Sequence, residues 1–235
     1  MKIYIMTDLE GVSGVDNPDM IQPDNARFGE SRLRLTEDTN AAIAGALDGG
    51  ATEVMVLDGH HKGYGNIIWE RIDKRARKDE RPNKNWWSSL DSSFAGTFFV
   101  GAHAMAGTKD AFLDHTQSSQ AWYDYYIDGR KFGEIGQWAV VAGHFGVPLV
   151  MVAGDKAAIA EAKEFFNPVE TAVVKTGVGR MSATLVELGE ARRRIREAAN
   201  KAMALIGLAK PFTVNLPAEI ILDLQRTDWC DEHAK

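Results

Sequence analysis

The sequence predicts an α/β fold: a mostly parallel sheet with helices on both faces and an added antiparallel hairpin. Short apolar runs of strand length alternate along the chain with longer segments in which apolar residues recur at helical spacing. That order is typical of parallel sheets whose strands are joined by right-handed helical crossovers. The hairpin is indicated by Asp128-Gly129, which directly follows the run WYDYYI, because Asp-Gly favours a tight turn between antiparallel strands.

The individual elements follow from apolar periodicity and from turn residues. Strands are predicted at residues 2–7, 53–57, 97–101, 122–127, 131–132, 148–153, 169–175, 212–214 and 219–224. Helices are predicted at residues 30–47, 66–72, 133–145, 155–166 and 183–208. Two prolines predict a loop over residues 17–25, and the charged residues 74–84 predict a surface excursion. Asp155 is predicted to cap the helix that follows it.

Composition restricts the class of protein and its partners. The 235 residues are 45% hydrophobic and 26% charged, which is ordinary globular composition. We expect one domain over residues 1–235; a subdivision near residues 153–155 would leave a smaller C-terminal α/β part at residues 155–235. A net charge of -6 without a long basic block argues against nucleic acid and acidic membrane surfaces as partners.

The expected location is the cytoplasm. No apolar run approaches the ~20 residues that a membrane span needs. No signal peptide precedes the first strand, which begins almost at Met1. The single cysteine, Cys230, excludes an intrachain disulfide, which is the usual state of proteins in a reducing compartment.

Two carboxylates follow the first strand directly. Side chains alternate on an extended segment, so Asp8 and Glu10 point the same way, about 7 Å apart. Two carboxylates at the end of a buried strand are unfavourable unless a cation compensates them. The alternative is that Asp8 caps a turn and that Glu10 is solvated.

Three further candidate ligands would converge with these carboxylates. His60 and His103 follow the next two strands, and ligands of parallel α/β sheets bind at the carboxyl ends of the strands. Glu134 lies in the first turn of a helix, where the helix dipole alone would favour it, yet it could reach the same crevice. Mixed nitrogen and oxygen ligands suit zinc, with manganese or cobalt as alternatives. Five ligands exceed what one catalytic zinc takes and fit two metals that share a carboxylate.

Other histidines of the sequence have different expected roles. His115 lies beside Asp114 in an irregular segment after the third strand and is a candidate acid or base. His61 would face away from His60 if the chain is extended, as a solvated or supporting residue. His144, near a helix end, is assigned a structural role.

Five short motifs, in this order, resemble the M55 metallopeptidase family. They are D-x-E-G at residues 8–11, D-G-H at 58–60, G-A-H at 101–103, D-H-T at 114–116 and G-E-x-G at 133–136. Further similarity lies at residues 32–40, 52–54 and 150–155, and the resemblance extends from residue 1 to about residue 229. The segment at residues 74–87 matches the family pattern poorly.

The resemblance implies a specific site and activity. Two zinc ions would be bound per subunit: Asp8 would bridge them, Glu10 and His60 would complete one site, and His103 and Glu134 the other. His115 would be the catalytic residue. Family members cleave N-terminal residues from short peptides or amino-acid amides, with D-amino acid substrates such as D-Ala-D-Ala among them. The type member is a homo-oligomer, which implies a ring of subunits such as a decamer.

We therefore predict hydrolysis of an amide by water that two metals activate, with the pKa of that water lowered towards about 7. One alternative is another two-metal hydrolase such as a phosphoesterase, although the sequence has no P-loop and no arginine clamp near the motifs. A second alternative is a purely structural metal. Structural zinc prefers closed, cysteine-rich sites, which a chain with one cysteine does not provide.

Overall fold

The computed structural model describes residues 1–61, 65–81, 87 and 89–233. The strands are β1 (Lys2–Thr7), β2 (Glu53–Asp58), β3 (Ala76–Lys78), β4 (Gly96–Ala102), β5 (Trp122–Ile127), β6 (Arg130–Lys131), β7 (Leu149–Asp155), β8 (Glu170–Gly177), β9 (Ala183–Leu185) and β10 (Ile220–Leu224). The α-helices are α1 (Phe28–Asp48), α2 (Glu134–His144), α3 (Lys156–Phe165), α4 (Leu188–Ala202) and α5 (Thr227–His233). Short 3-10 helices lie at Pro18–Ile21, Trp69–Arg71 and Met203–Leu205.

The strands form two sheets in the described part of the chain. The larger sheet has the order β3-β2-β1-β4-β7-β8-β9 and is parallel except for β9, which runs antiparallel to β8 at one edge. The smaller sheet has the order β10-β5-β6 and is antiparallel. The predicted fold class, a mostly parallel sheet with an added antiparallel hairpin, is confirmed.

Helices cover both faces of the larger sheet, as predicted. Successive side chains of β1 alternate between two apolar cores: Ile3 and Ile5 face one, Tyr4 and Met6 the other. The helices α1 and α4 cover the first core, and α2 and α3 cover the second. β4 and β7 are buried along their whole length, which explains their continuous apolar sequences.

Two predicted elements are wrong at the C-terminal side. The helix predicted at residues 183–208 begins only at Leu188, because Glu187 accepts hydrogen bonds from the backbone N–H groups of Gly189 and Glu190 and so caps α4. The residues before that cap form β9 instead. The strand predicted at residues 212–214 is absent, and Phe212 packs against the ring of Phe165.

Other differences are smaller. The charged segment at residues 74–84 contains the edge strand β3, and its residues 82–84 lie outside the described part of the chain. The helix predicted at residues 66–72 is only the 3-10 turn at Trp69–Arg71, and α5 was not predicted. Asp155 makes no side-chain capping bond to α3. None of the described helices is long and apolar enough to cross a membrane.

The sheet continues through the predicted subdivision point. β7 runs across residues 153–155 and pairs with β4 on one side and β8 on the other. The division of the chain into domains stays a prediction.

Candidate metal centre

The turn after β1 lies directly against the end of β4. Asp8 N–H donates to the Val100 carbonyl (2.9 Å), and Gly11 N–H donates to the Gly101 carbonyl (2.8 Å). A Cβ atom at Gly101 would lie 2.0 Å from the Asp8 carbonyl oxygen, so the approach requires glycine. This close packing brings His103, which follows β4, beside the carboxylate of Asp8.

The two carboxylate oxygens of Asp8 face different partners. Oδ1 lies 3.0 Å from Nδ1 of His60, and that nitrogen lies 3.0 Å from Oε2 of Glu10. Oδ2 lies 3.3 Å from Nε2 of His103, and that nitrogen lies 3.3 Å from Oε1 of Glu134. Asp8 is therefore shared by a first cluster, Asp8, Glu10 and His60, and a second cluster, Asp8, His103 and Glu134.

These separations and the orientation of the atoms fit bound metal ions. Two ligands that each lie ~2.0–2.1 Å from a tetrahedral zinc are about 3.3 Å apart. Among the described residues, the buried atoms Glu10 Oε2 and His103 Nε2 have no hydrogen-bond partner despite their close neighbours. Buried polar atoms without partners are unfavourable, and a cation between the facing atoms would satisfy them. Carboxylates and imidazoles are also ligand types that zinc takes.

His115 lies against the second cluster. Its ring stacks on that of His103, with the ring centroids 4.0 Å apart and the planes inclined by 8°. Its Nε2 lies 3.7 Å from Oε1 of Glu134 and 4.0 Å from Oε1 of Glu10. His115 therefore lies beside a carboxylate of each cluster.

Backbone carbonyls orient two of the imidazoles. Nδ1 of His103 lies 3.1 Å from the Ala104 carbonyl oxygen, and Nδ1 of His115 lies 2.8 Å from that of Leu113. A carbonyl oxygen only accepts, so each Nδ1 carries a proton and, in the neutral imidazole, Nε2 keeps its lone pair toward the site. This is the tautomer that a metal ligand or a general base at Nε2 requires.

The site shifts the pKa values of its own groups. Burial alone would lower the pKa of His60 and His103, but the charges of Glu10 and Glu134, together with the adjacent carboxylate of Asp8, raise both pKa values well above the usual value. Burial alone would raise the pKa of Asp8 and Glu134, but the imidazoles hold both pKa values below their usual range. These directions show that the site favours positive charge between the facing carboxylates.

The clusters border a cavity of about 650 Å³. Asp8, Glu10, His60, His115 and Glu134 line one side, and the remaining wall is formed by Met6, Ile21, Gln22, Gly59, His61 and residues 117–120. No lysine or arginine is among these described lining residues. His61 therefore borders the cavity, although it belongs to neither cluster, and its ring lies 6.0 Å from that of His60.

The structure also places three residues that sequence reasoning missed. Gln117 N–H donates to Oε1 of Glu134 (2.7 Å), and Asn66 Nδ2 donates to the His60 carbonyl (2.7 Å). Lys175 Nζ donates to the Glu10 carbonyl (2.6 Å) from a fully buried position. Only Lys175 carried a signal in the sequence, as a cation that directly follows the apolar residues 172–174 within a strand.

Comparison with known proteins decides the family. Residues 1–234 match the sequence profile of peptidase family M55, which is described as D-aminopeptidase. The chain belongs to the M55 peptidase family. It is therefore a hydrolase, and the predicted class of M55 aminopeptidase is confirmed. The family does not favour the phosphoesterase alternative.

A sequence and a solved structure, each of a D-aminopeptidase from Bacillus subtilis, support the assignment. A D-aminopeptidase of Bacillus subtilis (strain 168) is 34% identical over 216 residues, which cover 91% of this chain and 77% of that protein. A solved structure, of the Zn-dependent D-aminopeptidase DppA from Bacillus subtilis, superposes with a TM-score of 0.92 at 31% identity. The match covers 99% of this chain and 85% of that one, which is described as a self-compartmentalizing protease.

Proposed function

We propose that this M55 peptidase is a zinc-dependent aminopeptidase that removes the N-terminal residue from short peptides or amino-acid amides, including those of D-amino acids. The observation that carries the proposal is the position of Asp8, whose two oxygens face separate ligand clusters at the wall of a cavity. The zinc dependence of the similar Bacillus D-aminopeptidase supports the choice of metal and reaction.

We infer two zinc ions per subunit, held by the two clusters. Asp8 would bridge them, with Glu10 and His60 completing one site and His103 and Glu134 the other. Manganese or cobalt could take the same ligands. Bound zinc supplies hydroxide at neutral pH and polarises the scissile carbonyl group.

The chain's own residues would position the substrate and move the proton. The carboxylates that border the cavity are the proposed zinc ligands, and the described lining residues include no lysine or arginine, so the free N-terminal amine of the substrate would bind beside a zinc ion or one of its ligand carboxylates. The uncharged residues 117–120 would contact the rest of a short peptide. His115, with its Nδ1 proton fixed on the Leu113 carbonyl, can accept a proton at Nε2 and donate it to the leaving amine.

The test is hydrolysis of matched D- and L-alanyl amides by zinc-loaded protein, before and after chelation and after zinc is returned. We expect chelator-sensitive cleavage that zinc restores, with the D-alanyl amide cleaved. An N-acetylated alanyl amide, which lacks the charged amine, should not be cleaved, and a phosphoester assayed in parallel should remain intact. Absence of amide cleavage by fully loaded protein would contradict the proposal.

We further infer a homo-oligomer, such as a decameric ring, that works in the cytoplasm. The self-compartmentalizing relative supports the assembly, and the single exposed cysteine is consistent with a reducing compartment. Analytical ultracentrifugation of the zinc-loaded protein tests the assembly, and a monomer at micromolar concentration would contradict it.

A further inference from the structure

A lysine lies buried directly behind the candidate metal centre. Lys175, on β8, is 0% exposed, and its Nζ donates to the carbonyls of Glu10 (2.6 Å) and Val15 (2.5 Å). These two carbonyls flank the turn that follows β1. One ammonium group therefore ties both ends of the Glu10 loop, residues 10–15, to the sheet.

The same ammonium contacts the segment at residues 112–117, which carries His115 and is called the His115 loop below. Its Nζ lies 4.8 Å from the centroid of the Phe112 ring, and Phe112 is three residues before His115. An ammonium has three donor hydrogens, of which the two carbonyls use two, and the aromatic face attracts the charge on a further side. Lys175 thus contacts both loops from one buried position.

Asp155 holds the His115 loop from the neighbouring strand. It is fully buried and pairs with Lys175 in the register of β7 and β8. Its Oδ2 accepts from Phe112 N–H (2.8 Å), and its Oδ1 accepts from Gly177 N–H (3.1 Å). The carboxylate therefore fixes the backbone of this loop instead of capping α3.

The His115 loop needs such support because its backbone is strained. Leu113 and Gln117 flank His115 and have φ angles of 51° and 59°, in the left-handed region that residues other than glycine adopt rarely. Such conformations persist only where surrounding contacts hold them. Leu113 also donates its N–H to the Arg180 carbonyl just beyond β8 (2.9 Å), so the support comes from the same strand end.

We propose that Lys175 and Asp155 are a positioning pair that sets the relative placement of Glu10 and His115. The proposal rests on the proposed function, in which Glu10 is a zinc ligand and His115 transfers the proton. Neither Lys175 nor Asp155 lines the cavity, so both act through the loops that they hold. Burying a cation is unfavourable, and an apolar side chain could fill the same space, so packing alone does not explain a lysine here.

The test compares Lys175→Met, Lys175→Arg and Asp155→Asn in the full chain. Each variant is measured for zinc retention against a chelator, for the absorption spectrum of the Co²⁺-substituted site, for kcat and KM on an alanyl amide, and for thermal stability. The cobalt spectrum reports ligand geometry, so a loss of stability alone would not change it.

Two control variants separate positioning from stability. Lys74 is an exposed lysine that does not line the cavity and whose Nζ also donates to two carbonyls, those of Trp69 and Glu70 (3.4 and 3.1 Å), so Lys74→Met removes comparable bonds outside the site. Ile195 is a fully buried residue of α4, and Ile195→Ala leaves a cavity in the core beside α1. Both controls should keep wild-type zinc retention, cobalt spectrum and kcat.

We expect Lys175→Met to weaken zinc retention by about 10–100-fold, the range for residues that orient ligands, and to alter the cobalt spectrum. Lys175→Arg should recover part of the retention because it restores charge and donors. Asp155→Asn should keep zinc but lower kcat at least about 10-fold with little change in KM, since it acts on the His115 loop.

Two outcomes would overturn the proposal. Folded Lys175 and Asp155 variants with the zinc retention, spectrum and kcat of the wild type would show a purely structural role, whatever their stability. If Lys175→Met does not fold, the same measurements on Lys175→Arg and Asp155→Asn distinguish a positioning role from a purely structural one. A wild-type protein that binds no zinc would overturn the proposed function and the positioning role together, which distinguishes that failure from the first.

Discussion

The two residue clusters that share Asp8, which we propose to hold zinc, are assembled in different ways. In the first cluster, every residue follows one of two adjacent strands, since β1 pairs with β2 and Thr7 lies opposite Asp58. The second cluster draws His103 from the end of β4 and Glu134 from the first turn of α2, and the loop between β4 and β5 supplies the N–H group that orients Glu134. Strand order brings the residues of the first cluster to one edge of the sheet, whereas the second cluster also depends on a strained loop.

Removal of the shared ligand tests whether the clusters form one site. Asp8→Asn keeps the shape of the side chain but removes the charge that both clusters use, so we expect both zinc ions to be lost. The turnover of an alanyl amide should fall at least about 10²–10³-fold, the scale on which removal of one charge-stabilising group acts. Asp48→Asn, which alters an exposed ion pair with Arg196, is the control. Retention of one zinc by Asp8→Asn would contradict the bridging role.

Substitution of His115 tests whether zinc binding and proton transfer depend on different residues. His115→Ala should lower kcat about 10²–10⁴-fold, the usual contribution of general acid–base catalysis, while both zinc ions stay bound. Zinc content by elemental analysis and single-turnover cleavage are measured together, and His144→Ala, at the exposed end of α2, is the control. Near-wild-type turnover in His115→Ala would remove His115 from the mechanism.

The clusters can be broken one at a time. His60→Ala and His103→Ala should each leave about one zinc per chain, because the other cluster keeps its ligands. His103→Ala should have the lower residual activity, since it also removes the ring on which His115 stacks at 4.0 Å. Loss of both ions from either variant would show that the clusters are not separable.

A smaller effect is expected from the residue that supports His60. Asn66 is 2% exposed and donates from Nδ2 to the His60 carbonyl and to Asp58 Oδ1 (both 2.7 Å). Asn66→Ala should weaken zinc retention by about 10-fold, the low end for supporting residues. Asn40→Ala, which removes two similar side-chain bonds to the 71–73 segment, should lower stability without changing zinc retention. Equal zinc retention in the two variants would contradict a supporting role for Asn66.

The sequence alone could predict the first cluster because its geometry follows from strand order. Asp8, Glu10 and His60 come directly after apolar runs, and parallel strands place such residues at one edge of the sheet. His103 followed from the same rule. For Glu134, the sequence left two interpretations open, a carboxylate stabilised by the helix dipole and a metal ligand. The structure places its Oε1 3.3 Å from Nε2 of His103.

What the sequence could not predict depends on tertiary contacts. The positive φ of Gln117, which aims its N–H at Glu134, is not encoded by glycine or asparagine at that position. β3 is a three-residue edge strand with exposed Arg77 and Lys78, so it has no apolar pattern. The apolar periodicity of α4 does not show that Glu187 caps the helix. The predicted helix therefore began too early and included the residues of β9.

The central claim is that Asp8 serves two metal sites, and the most direct measurement is the number of zinc ions per chain. Elemental analysis of freshly purified, zinc-supplemented wild-type protein gives this number, with Asp8→Asn prepared in parallel. The two clusters predict close to two zinc ions per wild-type chain and close to none in the variant. One zinc per wild-type chain, or none, would contradict the claim.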